Sequence, residues 1–124
     1  MSNISKIELV VNDLSILGQA CARLGLELIR AKKTFKWYGN EAPCDHAIRV
    51  PGAEYEVGVI DRNGIYELNC DFYDLSLEKV IGKQGGLLKQ AYAVEKTGVE
   101  VRRKGYSVLE RKTDNGIRLH VRMS

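Results

Sequence analysis

The chain is poor in the residues that break or staple a fold, with two prolines, one tryptophan and three cysteines in 124 residues. It also lacks Pro-, Ser- or Gln-rich tracts, which excludes a compositionally disordered tail. Its apolar runs extend only a few residues, against the roughly 20 that a membrane-spanning helix needs, so no membrane partner is expected. Met1 to Val11 lacks the charged-then-apolar pattern of a signal peptide, and a cytoplasmic location is expected. Cys21, Cys44 and Cys70 are odd in number and widely spaced, which fits reduced thiols better than a disulfide framework. Histidine is scarce as well, only His46 and His120. Cys44-Asp45-His46 sets three donors in a row, but an extended loop points consecutive side chains apart and zinc needs about four convergent ligands. No metal and no cofactor are expected.

What is present is ordinary for a folded protein: 44% hydrophobic and 28% charged residues, in a length that fits one domain over 1–124 and one buried core. The net charge of +3 hides an asymmetry. Up to Gly82 there are nine Lys/Arg against twelve Asp/Glu, and from Lys83 onward ten against four. The basic second part could meet phosphate or an acidic partner.

Periodicity outlines the fold. Ile7, Leu9 and Val11 alternate with polar neighbours as a half-buried strand does. Asn12 and Asp13 suit a helix start, and Leu14, Leu17, Cys21 and Leu24 follow at helical spacing until Gly25. Leu26 to Ile29 reads as a strand extended by Phe35 to Tyr38, and Ala47 to Val50 as another, ended by Pro51-Gly52. Tyr55 to Val59 and Tyr66 to Phe72 flank Asp61-Arg62-Asn63-Gly64 as a β-hairpin. Leu75 to Ile81 is ambiguous, with a short helix near Ser76 one reading. A second helix runs from Leu87 through Val101, with Glu95 and Arg102 obliged to pair or sit at its rim. Val108 and Ile117 to Met123 flank Thr113-Asp114-Asn115-Gly116 as a last hairpin. The order β-α-β-β-β-β-α-β-β predicts an α+β fold with one mostly antiparallel sheet and both helices on one face.

The other sheet face would then be open and polar, carrying Lys6, Glu8, Glu56, Glu67, Asn69, Asp71, Tyr73, Arg118, His120 and Arg122. Glu67, Asn69, Asp71 and Tyr73 are its candidate ligand-binding residues, toward a protein partner or a second copy of the chain. The carboxylates Glu56, Glu67, Asp71 and Asp74 could also hold a cation or do acid/base work for a nucleotide- or metal-dependent enzyme. No nucleophile-base pair is visible, however, and no catalytic residue is assigned. Trp37 and Tyr38 beside Lys32, Lys33 and Lys36 either stack a base or pack a strand end.

Two resemblances bear on function. Gly82-Lys83-Gln84-Gly85, followed by Lys89 and by Thr97-Gly98, is similar to the Gly-x-x-Gly clamp of KH domains, which implies binding of RNA or single-stranded DNA. The match covers about twenty residues. Ile7-Glu8-Leu9-Val10-Val11-Asn12-Asp13-Leu14, Tyr55-Glu56-Val57-Gly58-Val59, Asn63-Gly64-Ile65-Tyr66-Glu67-Leu68 with Asp71-Phe72-Tyr73, Gln90-Ala91-Tyr92-Ala93-Val94 and Lys104-Gly105-Tyr106-Ser107-Val108 together resemble domain-of-unknown-function family 1257. That family includes the chloroplast hypothetical reading frame 35 proteins. This resemblance runs through nearly the whole chain, with Phe72-Tyr73 in place of the usual two tryptophans. It implies an α+β domain without assigned catalytic residues, from a phage or a bacterium such as a cyanobacterium. A non-enzymatic binding module is therefore the leading expectation.

Overall fold

Each local signal in the sequence has to find a partner elsewhere in the chain, and the first strand shows how. In a computed structural model of the protein, which describes residues 3–123, β1 (Ser5–Val11) buries Ile7 and Val11 and leaves Glu8 and Val10 outside. Asp13 caps α1 (Leu14–Arg23) by accepting the amides of Ser15 and Ile16 through Oδ1. Four short strands follow: β2 (Glu27–Arg30), β3 (Thr34–Trp37), β4 (Asn40–Pro43) and β5 (His46–Arg49). The hairpin of β6 (Val57–Arg62) and β7 (Ile65–Cys70) turns at Asn63-Gly64, both at positive φ. Next come α2 (Leu75–Ile81), a single 3-10 turn over Lys83–Gly85, α3 (Gly86–Arg103), and the ribbon of β8 (Tyr106–Thr113) and β9 (Gly116–Met123). Among the described residues no helix is long and apolar enough to cross a membrane.

The fold is α+β with antiparallel strands. Five strands form the main sheet in the order β1-β7-β6-β5-β2, and the other four form two separate ribbons, β3-β4 and β8-β9. Ile7 faces Leu68 and Leu68 faces Val59, while Val57 faces Ile48 and Ile48 faces Leu28, so two apolar rows line one sheet face. Leu14, Leu17 and Cys21 of α1, Leu77 and Ile81 of α2, and Leu88, Ala91 and Tyr92 of α3 close over those rows as one core. The segment Leu75 to Ile81, ambiguous in the sequence, is thus a third helix with a buried face.

The opposite face differs from the open one expected. One register row crosses all five strands, Lys6, Asn69, Gly58, Ala47 and Ile29, and the β3-β4 ribbon lies over its centre. The reason is Phe35. The strand over Leu26 to Ile29 is not extended by Phe35 to Tyr38 as expected: the chain turns at Ala31, which has a φ of 61°, and β3 pairs with β4 instead. Phe35 then seats its ring on Gly58 beside Ala47 and Cys44. Glu56 secures the same ribbon from below, accepting from Lys32 Nζ and from the Lys36 amide, each at 3.0 Å. Glu56 is therefore buried rather than displayed. Arg118, His120 and Arg122 also leave the expected face, because they belong to the separate β8-β9 ribbon.

A side chain at Gly58 has no room, since its first carbon would overlap the Phe35 ring. Gly58→Val should destabilise the fold by about 1–3 kcal/mol, the usual range for overpacking. A urea midpoint equal to that of the parent would show that Phe35 does not sit there.

Candidate functional site

The expected sheet-face residues are distributed over separate environments. Glu67 is half-buried and takes Arg62 Nε at 3.0 Å. Asn69 lies between Lys6 and Gly58 in the cross-strand row. Asp71 follows the end of β7 and is only 2% exposed; its Oδ1 accepts the Tyr73 amide at 2.9 Å. Its Oδ2 is buried and has no hydrogen-bond partner among the described residues, and the same holds for Trp37 Nε1. Tyr73 is 60% exposed and its ring lies 5.6 Å from that of Tyr38, at the tip of the β3-β4 ribbon. Glu67 and Asn69 thus share the sheet surface, whereas Asp71 is inside and Tyr73 belongs to the ribbon side.

The remaining carboxylates and donors are engaged locally. Asp74 caps α2 through Ser76 and also accepts the amides of Glu54 and Tyr55. Cys44 Sγ donates to the Lys32 carbonyl, Asp45 Oδ2 accepts the Asp61 amide, and His46 Nδ1 accepts the Ala31 amide. The three consecutive side chains therefore serve three different backbone groups. Among the described residues no three His, Cys, Asp or Glu side chains converge as a metal site would require.

The glycine-rich segment does join two helices. Gly82, Gln84 and Gly85 take positive φ values of 85°, 55° and 76°, and the Gly85 amide donates to the Gly82 carbonyl at 3.0 Å. Both flanking glycines are required by packing. A Cβ on Gly82 would stand 2.6 Å from the Leu87 nitrogen, and one on Gly85 would stand 2.9 Å from Ile7 Cγ2. Gly85 is consequently buried and is not a surface for a ligand backbone, while the turn it permits holds Lys83 and Gln84 outward.

Those two side chains form part of a hollow. Ser5, Lys6 and Glu8 of β1, Phe72, Glu78 of α2, Lys83 and Gln84 of the turn, and Lys89 of α3 line a surface cavity of about 460 Å³. Three ammonium groups face two carboxylates there, and among the described residues none of Lys6, Lys83 and Lys89 is in an ion pair. The sequence pointed to Lys83, Gln84 and Lys89 together. It did not point to Lys6 and Phe72 as their neighbours, since tertiary packing, including the approach of Gly85 to Ile7, brings β1 to this turn. A larger hollow of about 700 Å³ lies under the tip of the β8-β9 ribbon, floored by Leu24, Leu87, Ala91 and Ile117. Its arginine, Arg23, is already committed to Glu95 and Glu110.

No protein-family model, no curated protein and no solved structure matches the chain.

The thiols are poor nucleophile candidates. Burial pushes Cys21 and Cys70 up to about 12 from the ordinary 9.0, and raises Cys44 as well. Above pH 9 the unfolded chain loses these protons while the folded chain keeps them, so stability falls as pH rises from about 9 toward 12. The expected slope is about 1.4 kcal/mol per pH unit for each of Cys21 and Cys70. Urea titrations on both sides of pH 9 should show that loss, and a Cys21→Ala/Cys70→Ala variant should lose most of it and keep only the smaller part due to Cys44.

Proposed function

We propose that this chain is a small non-enzymatic binding module that takes a phosphate-bearing chain, single-stranded nucleic acid, in the hollow between β1 and the α2-α3 junction. The observation that carries this reading is the convergence of Lys6, Lys83 and Lys89, from three different elements and without ion-pair partners among the described residues, beside the aromatic wall of Phe72. Ammonium groups neutralise a phosphate backbone, and an aromatic ring gives an unpaired base a surface to stack on. The link between two helices supports the KH-like comparison at the level of the loop. The buried Gly85 moves the contact from glycine backbone to the lysine side chains. The resemblance to family 1257 is part of the same proposal and supplies no catalytic residue.

A second reading is favoured by one specific observation. Tyr38, Tyr73 and Leu75 are all large, apolar and at least half exposed, and the two rings are in contact. A protein partner could cover that patch, which retains Tyr73 as a binding residue and does without Asp71.

Binding of a labelled single-stranded oligonucleotide, followed by fluorescence anisotropy at several salt concentrations, separates the two. Lys83→Ser/Lys89→Ser should weaken binding and flatten the salt dependence by about 0.7 in log K per log salt for each lysine. Phe72→Ala should cost about 1–3 kcal/mol of affinity if a base stacks there. Wild-type protein that binds no oligonucleotide at low salt would remove this proposal.

A further inference from the structure

The β8-β9 ribbon stands outside the main sheet and has two unlike faces. Register assigns Tyr106, Val108, Leu119 and Ile117 to the inner face, where they are half-buried beside α3; Glu110, Lys112, Val121 and Met123 share that face and are exposed. The outer face carries Ser107, Leu109, Arg111 and Thr113 from β8 and Arg118, His120 and Arg122 from β9. All of these are exposed. That face holds three arginines and no acidic residue. The ribbon's one strand carboxylate, Glu110, is on the inner side, and accepts Arg23 Nη1 at 2.6 Å and Nη2 at 3.0 Å.

Folding alone does not account for this face. Arg111 and Arg118 stand directly opposite each other across the ribbon, an arrangement of like charges that destabilises a strand pair. Among the described residues none of Arg111, Arg118 and Arg122 forms an ion pair. A second copy of the chain is the wrong occupant, because a two-fold contact through this face would bring arginine against arginine. The complementary surface is a polyanion. Arg102, Arg103 and Lys104, exposed at the end of α3 beside the ribbon's base, extend the positive field.

We infer that the outer face of the β8-β9 ribbon is a contact surface for double-stranded DNA, in which Arg111, Arg118 and Arg122 neutralise backbone phosphates. A two-stranded ribbon fits the major groove of B-form DNA, about 12 Å wide, whereas the major groove of an RNA duplex is too deep and narrow to admit it. The face has no Phe, Tyr or Trp on which to stack unpaired bases, and this distinguishes it from the hollow at Phe72. Ser107 and Thr113 at its two ends donate their hydroxyls within the ribbon, to the Arg122 and Gly116 carbonyls, which leaves phosphate contact to the arginines. The inference is independent of the proposed function, and either can fail alone.

The test is fluorescence anisotropy with a short random-sequence DNA duplex, the same sequence as a single strand, and an RNA duplex, each over a salt series. Arg111→Ser/Arg118→Ser/Arg122→Ser should weaken DNA-duplex binding at least about tenfold at low salt and reduce the salt slope by about 0.9 per arginine. Arg→Lys at the same three positions should keep most of that slope. A charge-matched control, Lys33→Ser/Arg49→Ser/Lys79→Ser, should keep both affinity and slope. Since the three arginines are exposed and mutually repulsive, the serine variant should melt no lower than the parent, which verifies that it folds. The inference is overturned if the serine variant binds the duplex as the parent does, if the control loses as much, or if the parent binds no DNA duplex. A preference for the RNA duplex over DNA overturns it equally.

Discussion

The seat of Phe35 on Gly58 is the contact on which the arrangement of surfaces depends. Any side chain at position 58 would exclude the ring, and without the ring the β3-β4 ribbon would hold the sheet through only its partly buried Trp37 and Ala42. Glu56 adds direction to that contact. Its carboxylate binds the Lys36 amide and Lys32 Nζ, so the ribbon is held in one position by an ion pair with one buried partner rather than by apolar contact alone. The consequence reaches well beyond the ribbon. The second sheet face has its centre covered, leaving Lys6, Asn69 and Glu67 as an uncovered margin, and the exposed polar chemistry shifts to the edges of the molecule.

A second steric constraint shapes one of those edges. Gly85 lies against Ile7, which binds the α2-α3 junction to β1 and closes a hollow between elements from opposite ends of the chain. At the other edge Arg23 joins α1, α3 and the β8-β9 ribbon through Glu95 and Glu110, and it holds Glu110 below the usual carboxylate range chiefly by hydrogen bonding. Glu95, which falls within the apolar arc of α3, thereby finds the partner that its position demands. These contacts use up carboxylates in structural roles. The lysines of the hollow and the arginines of the ribbon's outer face are left without ion-pair partners among the described residues.

Much of this was legible where the signal is local. Asp13 with Leu14, Leu17 and Cys21 defines α1, Asn63-Gly64 defines the β6-β7 turn, and the α+β class follows from their order. The split of Leu26 to Tyr38 was not legible, because β-branched and aromatic residues on both sides of Ala31 read as one strand and nothing nearby signals its positive φ. One hint existed: a glycine between Val57 and Val59 in the buried part of β6 marks a close approach by another group, and Phe35 is that group. Asp71 illustrates the limit of strand alternation. The period-two rule placed it beside Asn69 on an exposed face, but the strand ends at Cys70 and the carboxylate turns inside. Of the hollow, the residues on one loop were readable together; Lys6 and Phe72 became neighbours only through tertiary packing.

In the proposed function, ligand contact falls on the basic hollow rather than on the carboxylates of the sheet. Amide chemical-shift mapping by NMR, during titration with a single-stranded oligonucleotide, tests this most directly. Perturbations should concentrate at Lys6, Phe72 and residues 83–89 and grow weaker as salt is raised. Perturbations centred on Glu67 and Asn69, with the hollow unchanged, would contradict it.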